Sequence, residues 1–176
     1  MPKELRKMKK FRFQLLAAWL IANHLACKAA DVGGGKGLLA WLLNQKGWQV
    51  IIIDPVEAIK APQYRDPETG RQVQLTMAEL GSIDKIKAPF SEEMTEDVDL
   101  LIGMHAHGSN MLIIDAAAKY NKQFVLLPCC VIDEPVERKP GINWLGSLEE
   151  YAKQKGHKVR RFELNFRGQN IGICNF

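Results

Sequence analysis

A glycine-rich turn and two aspartates are the residues whose types and spacing best fit a ligand site. Residues 31–37 read DVGGGKG, and the isoleucines at 51–53 lead directly into Asp54. Glycine has no Cβ, so a ligand can approach the backbone of such a turn closely. A carboxylate at the end of the neighbouring strand can accept hydrogen bonds from both hydroxyls of a ribose. Together these residues indicate a site for a molecule that contains adenosine.

The spacing of the glycines discriminates among nucleotide sites. Gly33, Gly35 and Gly37 read G-x-G-x-G, whereas a dinucleotide site requires the third glycine one residue later. Lys36 is followed by glycine and not by Ser or Thr, which excludes a P-loop. Asp31 would repel a pyrophosphate beside the turn but would attract a cation. The pattern therefore argues against a pyrophosphate beside the turn.

The pattern D-x-G-x-G-x-G, followed by an acid at the end of the next strand, resembles the cofactor signature of class I S-adenosyl-L-methionine (SAM) methyltransferases. The resemblance implies an enzyme that binds SAM, with Asp31 and the turn at its methionine end and Asp54 at its ribose. SAM carries a sulfonium and an ammonium but no phosphate, which agrees with an acid beside the turn. We predict the following cofactor-binding residues: Asp31, Gly33, Gly34, Gly35, Gly37, Asp54, Pro55 and His105.

The elements that must position these residues alternate between strands and helices. Beyond those that flank the turn, we predict strands at 98–104, 123–128, 158–166 and 171–176 and helices at 38–43, 110–120 and 144–154. Residues 56–81 lack a helical period and predict a hairpin-like insertion with a short helix at 77–80, ahead of a short strand within 82–88. We therefore expect an α/β fold: a Rossmann-like three-layer sandwich with a mostly parallel sheet that ends in an antiparallel hairpin.

Residues 1–28 are expected to form an N-terminal amphipathic helix ahead of a core at 29–176, all within one domain. The apolar stripe that predicts this helix consists of Phe11, Leu15, Trp19, Ala22 and Ala26. A basic start before an apolar run also resembles a secretory signal peptide, but Asn23 and His24 interrupt the apolar run. The uncharged stretch is also too short to span a membrane.

Composition and net charge exclude few classes of function, and the cysteines indicate the compartment. Hydrophobic residues make up 47% of the chain, and a net charge of +4 permits an anionic partner such as RNA without demanding one. The basic residues between Lys3 and Arg12 could contact phosphates or form a solvated terminus, and the second interpretation is slightly favoured. The four cysteines are irregularly spaced, which excludes a disulfide framework and agrees with a reducing compartment. We expect a cytoplasmic protein without membrane association.

Two later turns carry side chains that could take part in catalysis. His105 and His107 follow the predicted strand at 98–104, and Cys129 and Cys130 follow the next strand. Ligands bind at the carboxyl ends of strands in open α/β sheets, so we expect both turns to neighbour the first strand and to flank the methyl group. We predict His105 and His107 as catalytic residues. A free imidazole titrates near neutrality, which suits His105 as a general base for a hydroxyl or an amine.

The H-A-H-G and L-P-C-C turns carry a narrower resemblance, over about residues 29–132. They resemble a branch of class I enzymes with an H-x-C-G turn after strand four and a Cys-Cys turn after strand five. That branch includes the methyltransferase domains of glutathione-transferase-like fusion proteins and the eukaryotic tRNA 2′-O-methyltransferases of the acceptor stem. His107 stands where the branch commonly has cysteine. The resemblance implies the fold and the cofactor, and the acceptor is expected to be an RNA or a small molecule.

The cysteines leave three roles open. Histidine and cysteine are typical zinc ligands, but neighbours in H-x-H and C-C motifs rarely reach one tetrahedron, so we predict no metal site. A cysteine that attacks a pyrimidine ring needs an activated thiolate, and no sequence neighbour supplies the activation. The third role is a packed thiol after an apolar strand.

Two other functions also stay open. The chain could be a SAM-binding module without catalysis, such as a partner subunit, or a nicotinamide-dependent oxidoreductase. No Asn/Asp-Pro-Pro-aromatic tetrapeptide follows the strand at 98–104, which argues against adenine-N6 methylation. Weaker candidates for the acceptor pocket are Tyr64, Arg65, Arg71 and residues 165–170. His24 and His157 are expected to be structural.

Overall fold

The computed structural model describes residues 11–66, 69–129, 133–135 and 143–176. Their strands are β1 (Lys28–Val32), β2 (Gln49–Ile53), β3 (Gln63–Arg65), β4 (Gln72–Gln74), β5 (Lys85–Ile86), β6 (Leu100–Met104), β7 (Gln123–Leu127), β8 (Arg160–Glu163) and β9 (Ile171–Cys174). Their helices are α1 (Arg12–Asn23), α2 (Leu38–Asn44), α3 (Met77–Gly81), α4 (Asn110–Lys119) and α5 (Trp144–Gln154), with a 3-10 helix at Glu92–Thr95.

A seven-stranded sheet has the order β5-β2-β1-β6-β7-β9-β8. The pairs from β5 to β7 are parallel, whereas β9 is antiparallel to both β7 and β8. The predicted mostly parallel sheet with a closing antiparallel hairpin is therefore confirmed.

The sheet separates two apolar cores, and β6 contributes to both. Leu100 and Ile102 pack in the core that includes α1 and α2, whereas Leu101 packs in the core that includes α4 and α5. Successive side chains of a strand point to opposite faces, so a parallel strand covered on both sides must be apolar throughout. This arrangement confirms the predicted three-layer sandwich.

The insertion after β2 is the predicted hairpin. β3 and β4 pair antiparallel with Tyr64 opposite Val73. The ribbon packs on the first two helices: Gln14 Nε2 donates to the Arg65 carbonyl at 3.2 Å, and the rings of Tyr64 and Trp41 lie 5.7 Å apart. These contacts hold the start of β3 beside the tips of the central strands. Residues 67 and 68 of the turn lie outside the described residues.

The N-terminal helix ends earlier than predicted and buries a wider face than the predicted stripe. It ends at Asn23, and both Ala22 and Ala26 of the predicted apolar stripe are exposed. Its buried residues are Gln14, Leu15, Leu16, Ala17 and Leu20. Phe11, Leu15 and Trp19 of the predicted stripe do pack in the core, whereas its end at Ala22 and Ala26 was wrong. Adjacent positions are also buried because α1 packs against α2 and the sheet together. Residues 1–10, with most of the basic segment, lie outside the described residues.

Element bounds agree best where a cap or a buried run defines them. The helix at Trp144–Gln154 has the predicted bounds, and α4 ends one residue earlier than predicted. The short strand expected within 82–88 is reduced to Lys85–Ile86. Between β7 and α5, residues 130–132 and 136–142 lie outside the described residues. In the part of the chain that the structure describes, no helix is long and apolar enough to cross a membrane.

Candidate functional site

The glycine turn connects β1 to α2 through backbone that favours glycine. The φ angles of Gly33, Gly35 and Gly37 are 68°, 54° and 78°, all in the left-handed region. Gly33 N–H donates to the Ile53 carbonyl at 2.8 Å, and Gly37 N–H donates to the Gly34 carbonyl at 2.9 Å. The G-x-G-x-G spacing is therefore a requirement of the backbone, and it leaves one side of the turn free of side chains.

Asp31 lies directly behind this turn. Its side chain is only 2% exposed, and its Oδ2 atom has no hydrogen-bond partner among the described residues. A Cβ on Gly34 would lie 2.6 Å from that oxygen. Burial, and secondly the charge of Asp54, raise the pKa of Asp31 to about 7. A buried carboxyl without a partner is costly, so this atom is suited to a bound cation.

Asp54 is buried at the end of β2 and holds two loops together. Its Oδ2 accepts from Gly35 N–H at 2.8 Å, and its Oδ1 accepts from Val56 N–H at 2.7 Å. Each carboxylate oxygen has a second lone pair, so both can still accept a ribose hydroxyl. Pro55, predicted to bind the cofactor, is exposed between Asp54 and Val56.

Lys85 on β5 holds the same two residues by their carbonyls. Its Nζ donates to the Val56 carbonyl at 2.8 Å and to the Gly35 carbonyl at 3.4 Å. The amide and the carbonyl of both residues are thus bound by one carboxylate and one ammonium. This double clamp fixes the spacing of the two loops on either side of Asp54. Nothing in the sequence singled out Lys85, since it reads as an ordinary strand residue.

Two cavities open on either side of the clamp. The larger, about 520 Å³, is lined by the turn at 33–36 together with Arg12, Phe13, Gln63 and His105. The smaller, about 390 Å³, is lined by residues 56–60 and by Gly35 and Lys36, which also line the larger one. The predicted glycine turn is therefore the shared wall of both cavities. Arg12, Phe13 and Gln63 carry no signal of this role in the sequence, because they reach the cavity through the packing of α1 and β3.

His105 lies where it was predicted, at the tip of β6 and on the wall of the larger cavity. Its φ of 58° is in the left-handed region, which is strained for a residue with a side chain and is often found at functional sites. Its N–H donates to the Leu127 carbonyl at 3.1 Å. A Cβ on Gly33 would touch Ala106 at 3.4 Å, so the β1 and β6 turns are in contact.

His107 pairs with a cysteine and not with the glycine turn. Its exposed ring places Nε2 3.2 Å from the Sγ of Cys129. Sequence neighbours gave no sign of this imidazole–thiol pair. β7 is separated from β1 by β6, so the expectation that both turns neighbour the first strand was right for β6 and wrong for β7. Cys130 lies outside the described residues, among which no group of three or more His, Cys, Asp or Glu could hold a metal ion.

The loop after β7 folds back onto the start of α4. Glu134 Oε1 accepts from Asn110 N–H at 2.8 Å and from its Nδ2 at 2.7 Å, and Oε2 accepts from Met111 N–H at 3.2 Å. Ser109, at the N-cap position, makes no side-chain cap. Glu134 therefore binds the first backbone amides of α4, which have no partner within the helix. This contact anchors the loop beside the turn that carries both histidines.

Of the weaker candidates, Tyr64 packs on Trp41 and Arg65 bonds within its own hairpin. Arg65 Nε donates to the Gly70 carbonyl within the β3–β4 hairpin. His24 Nε2 lies 2.7 Å from Gln123 Oε1, and the His24 ring packs edge-on to the ring of Phe176. His157 Nε2 lies 3.1 Å from the Ile114 carbonyl oxygen. These imidazoles have the structural role that was expected.

Two nematode proteins are similar to part of this chain. Both are named probable tRNA (uracil-O(2)-)-methyltransferase. The one from Caenorhabditis briggsae is 33% identical over 111 residues and the one from Caenorhabditis elegans 33% over 103 residues; in each case this is 58% of this chain and 17% of that protein. The chain thus spans less than a fifth of the length of these relatives. No model of a known protein family matches it.

Solved structures share the fold at low sequence identity. The precorrin-6Y C5,15-methyltransferase of Geobacter metallireducens matches with a TM-score of 0.53 and 13% identity over 99% of this chain and 90% of that one. The magnesium protoporphyrin IX methyltransferase of Synechocystis, solved with bound SAM, matches with a TM-score of 0.55 and 14% identity over 94% and 77%. The chain therefore has the Rossmann-like fold that these methyltransferases have.

Proposed function

We propose that this chain is a SAM-dependent methyltransferase that acts on an RNA or a small molecule. The observation that carries the proposal is the buried, unpartnered oxygen of Asp31 behind a glycine turn with no side chain in the way. A buried carboxyl oxygen without a hydrogen-bond partner is suited to a positive ligand, and SAM brings an ammonium and a sulfonium. The shared fold and the names of the partial relatives support the same function.

The residues at the turn fit SAM in charge and in space. Asp31 would hold the ammonium, and the backbone at Gly33, Gly34, Gly35 and Gly37 would lie against the methionine end. Asp54 would accept the ribose hydroxyls beside Pro55, with the adenine directed to the smaller cavity. SAM would supply an electrophilic methyl group on a cationic sulfur.

His105 is the proposed catalytic residue on the acceptor side. It lines the larger cavity opposite the glycine turn, where a hydroxyl or an amine of the acceptor could approach. The imidazole would orient the acceptor and take up the proton that it loses. His107, also proposed as catalytic, would act at the outer edge of the same turn through its pair with Cys129.

An RNA acceptor has more support than a small molecule. The partial relatives are named as tRNA methyltransferases, and the exposed cation Lys36 lies on the wall of the larger cavity. The H-A-H-G and Cys-Cys turns extend the proposal to the narrower class I branch that contains tRNA enzymes. The proposed location is the cytoplasm, where the irregularly spaced cysteines would stay reduced.

Calorimetry with SAM and S-adenosylhomocysteine tests the cofactor. We expect wild-type protein to bind both, and Asp54→Ala to bind neither well because the ribose contact and the loop clamp are lost together. Dissociation constants no tighter than millimolar for wild type, roughly −4 kcal/mol, would refute the proposal.

Transfer of tritium from labelled SAM tests catalysis and separates an enzyme from a SAM-binding module. Cell-extract fractions treated with nuclease or with protease would identify the acceptor class, and we expect nuclease to remove the labelled product. His105→Ala should lose transfer and weaken S-adenosylhomocysteine binding much less than Asp54→Ala does, because the other predicted cofactor-binding residues remain. Binding without transfer into any fraction would favour the module, and binding of NADH instead would favour the oxidoreductase.

A further inference from the structure

We propose that Arg12 is a second charged binding residue of this site, and that its guanidinium receives the carboxylate at the methionine end of SAM. The inference rests on the proposed function and deepens it, since it assigns the other charge of the ligand. Its basis is a buried donor on the wall of the larger cavity.

Arg12 reaches the cavity from an element that the glycine motif does not include. It is the first residue of α1, sixteen residues before β1 begins, yet it lines the same cavity as Gly33, Gly34 and Gly35. The packing of α1 on α2 and on the β3–β4 ribbon brings it there. A residue so far from the motif in sequence carries no local signal of a binding role.

The guanidinium is held in place but incompletely satisfied. Its carbon lies 4.7 Å from the centroid of the Phe13 ring, which orients the planar group. Its Nε atom is buried and has no hydrogen-bond partner within the described ranges. A buried N–H without an acceptor is destabilising until a ligand supplies one, and arginine is the side chain that best matches a carboxylate. Lys36, the other cation of the cavity, is exposed and already solvated.

The two unsatisfied groups beside the turn have opposite charge. Asp31 offers an acceptor on one side of the glycine turn, and Arg12 offers a donor on the cavity wall. The methionine end of SAM carries an ammonium and a carboxylate, so this one end of the ligand would satisfy both residues. A phosphate of an RNA acceptor is the other source of an anionic oxygen, and the experiment distinguishes the two.

The test compares S-adenosylhomocysteine with 5′-methylthioadenosine, which has the same adenosine but no amino-acid end. Calorimetry would use wild type, Arg12→Met, which keeps an apolar stem, and Arg12→Lys, which keeps the charge. Arg161→Met is the matched control, because it removes an exposed arginine of β8, the edge strand of the sheet away from the glycine turn. A fluorescently labelled oligouridylate provides the phosphate probe.

We expect Arg12→Met to weaken the binding of S-adenosylhomocysteine about 10- to 100-fold, as loss of a charged hydrogen-bond pair would do. The affinity for methylthioadenosine should not change. Arg12→Lys should recover part of the loss, and Arg161→Met should resemble wild type. If Arg12→Met weakens the binding of both adenosyl ligands equally, Arg12 only shapes the cavity. If it weakens the binding of the oligouridylate alone, the anion that Arg12 binds is a phosphate. Either result overturns the inference. If wild type binds neither adenosyl ligand, the proposed function fails and the inference fails with it.

Discussion

Asp31 is the residue at which binding and stability oppose each other. Its carboxyl is enclosed behind the glycine turn, and burial together with the nearby charge of Asp54 favours the protonated form. The free protein therefore keeps a group in an environment where its charged form is disfavoured. Sites that bind charged ligands commonly contain such residues at a cost in stability.

We expect the affinity for SAM to rise with pH across neutrality. In the free protein the pKa of Asp31 is about 7, so below that pH the carboxyl is mostly neutral. A bound ammonium favours the charged form and lowers this pKa, so binding releases a proton at acidic pH and none well above pH 7. Affinity should therefore increase up to about pH 7 to 8 and then level off. Calorimetry across this range, in buffers of different ionisation enthalpy, measures both the affinity and the number of protons released on binding.

Asp31→Asn is the control for the pH dependence. It keeps the shape of the side chain but cannot ionise, so its weaker binding should not change over the same pH range. A wild-type affinity that does not vary with pH, or an equal slope in the variant, would show that Asp31 does not meet the cation.

Gly34 is expected to tolerate no side chain, although its φ angle is not in the left-handed region. A Cβ there would lie 2.6 Å from Asp31 Oδ2 and 2.8 Å from its Cγ, so the buried carboxyl would have to move. Gly34→Ala should weaken SAM binding about tenfold or more and destabilise the fold by about 1–3 kcal/mol, as overpacking does. Calorimetry and thermal unfolding measure the two effects.

Gly81→Ala is the matched change for comparison. Gly81 lies at the end of α3, has no atom within 4 Å of an added Cβ and does not have a positive φ. It should retain wild-type affinity and stability. Equal behaviour of the two alanine variants would mean that the close approach of Asp31 to the turn is not needed for binding.

At the scale of elements, the β5 strand acts on the site through one lysine. Lys85→Met removes the hydrogen bonds to the Gly35 and Val56 carbonyls and leaves Asp54 to hold both loops alone. We expect S-adenosylhomocysteine affinity to fall about five- to tenfold, since charged hydrogen bonds are worth roughly 1.5–3 kcal/mol and part of the loss appears as stability. Calorimetry and thermal unfolding separate the two contributions.

Lys122→Met offers a matched lysine. Lys122 Nζ donates to the Glu96 carbonyl at 3.0 Å, at the start of β7 and away from the carboxyl ends of the strands. The variant should lose stability without a change in affinity. If both lysine variants lose affinity equally, or if Lys85→Met loses none, the double clamp does not organise the cofactor site.

Two helices show how much of the fold the sequence could predict. The predicted bounds of α5 are the observed ones, because Asn143 caps it locally and its Oδ1 accepts from Gly146 N–H at 2.8 Å. The start of α4 is capped by Glu134, twenty-four residues later, and no local pattern indicates such a contact. The same reason explains why the glycine turn, Asp31, Asp54 and His105 were found, whereas Arg12 and Lys85 were not: the former lie within short motifs, the latter reach the site by packing.

At the scale of the whole molecule, strand order decides where the site forms. β1 lies between β2 and β6, and the helices that follow β1 and β6 pack on opposite faces of the sheet. The chain therefore leaves a crevice at the carboxyl ends of these two strands, which is where ligands bind in open α/β sheets. Alternation of helices and strands predicts such a crevice but does not specify which strands border it. The order β2-β1-β6-β7 explains why His105 faces the glycine turn and Cys129 does not.

The stability of the molecule provides the last prediction. The pKa of Asp31 in the folded protein, about 7, lies above its ordinary value of 3.8. The unfolded chain therefore loses this proton first, and the free energy of unfolding falls as pH rises from about 4 to about 7. Asp31→Asn cannot ionise and avoids this loss. Without ligand, the variant should unfold at a higher temperature than wild type at about pH 8, and the two should converge near pH 4.

Bound ligand should narrow that difference in stability. S-adenosylhomocysteine at one hundred times its dissociation constant stabilises wild type by about 2.7 kcal/mol, which corresponds to roughly 5–10 °C for a chain of this size. At the same concentration the variant should shift by less than half as much, because its affinity is lower. Thermal unfolding of both proteins, with and without ligand at each pH, measures this. A variant that is less stable than wild type at pH 8 without ligand would mean that the buried carboxylate is satisfied within the free protein, and that no cation is needed behind the turn.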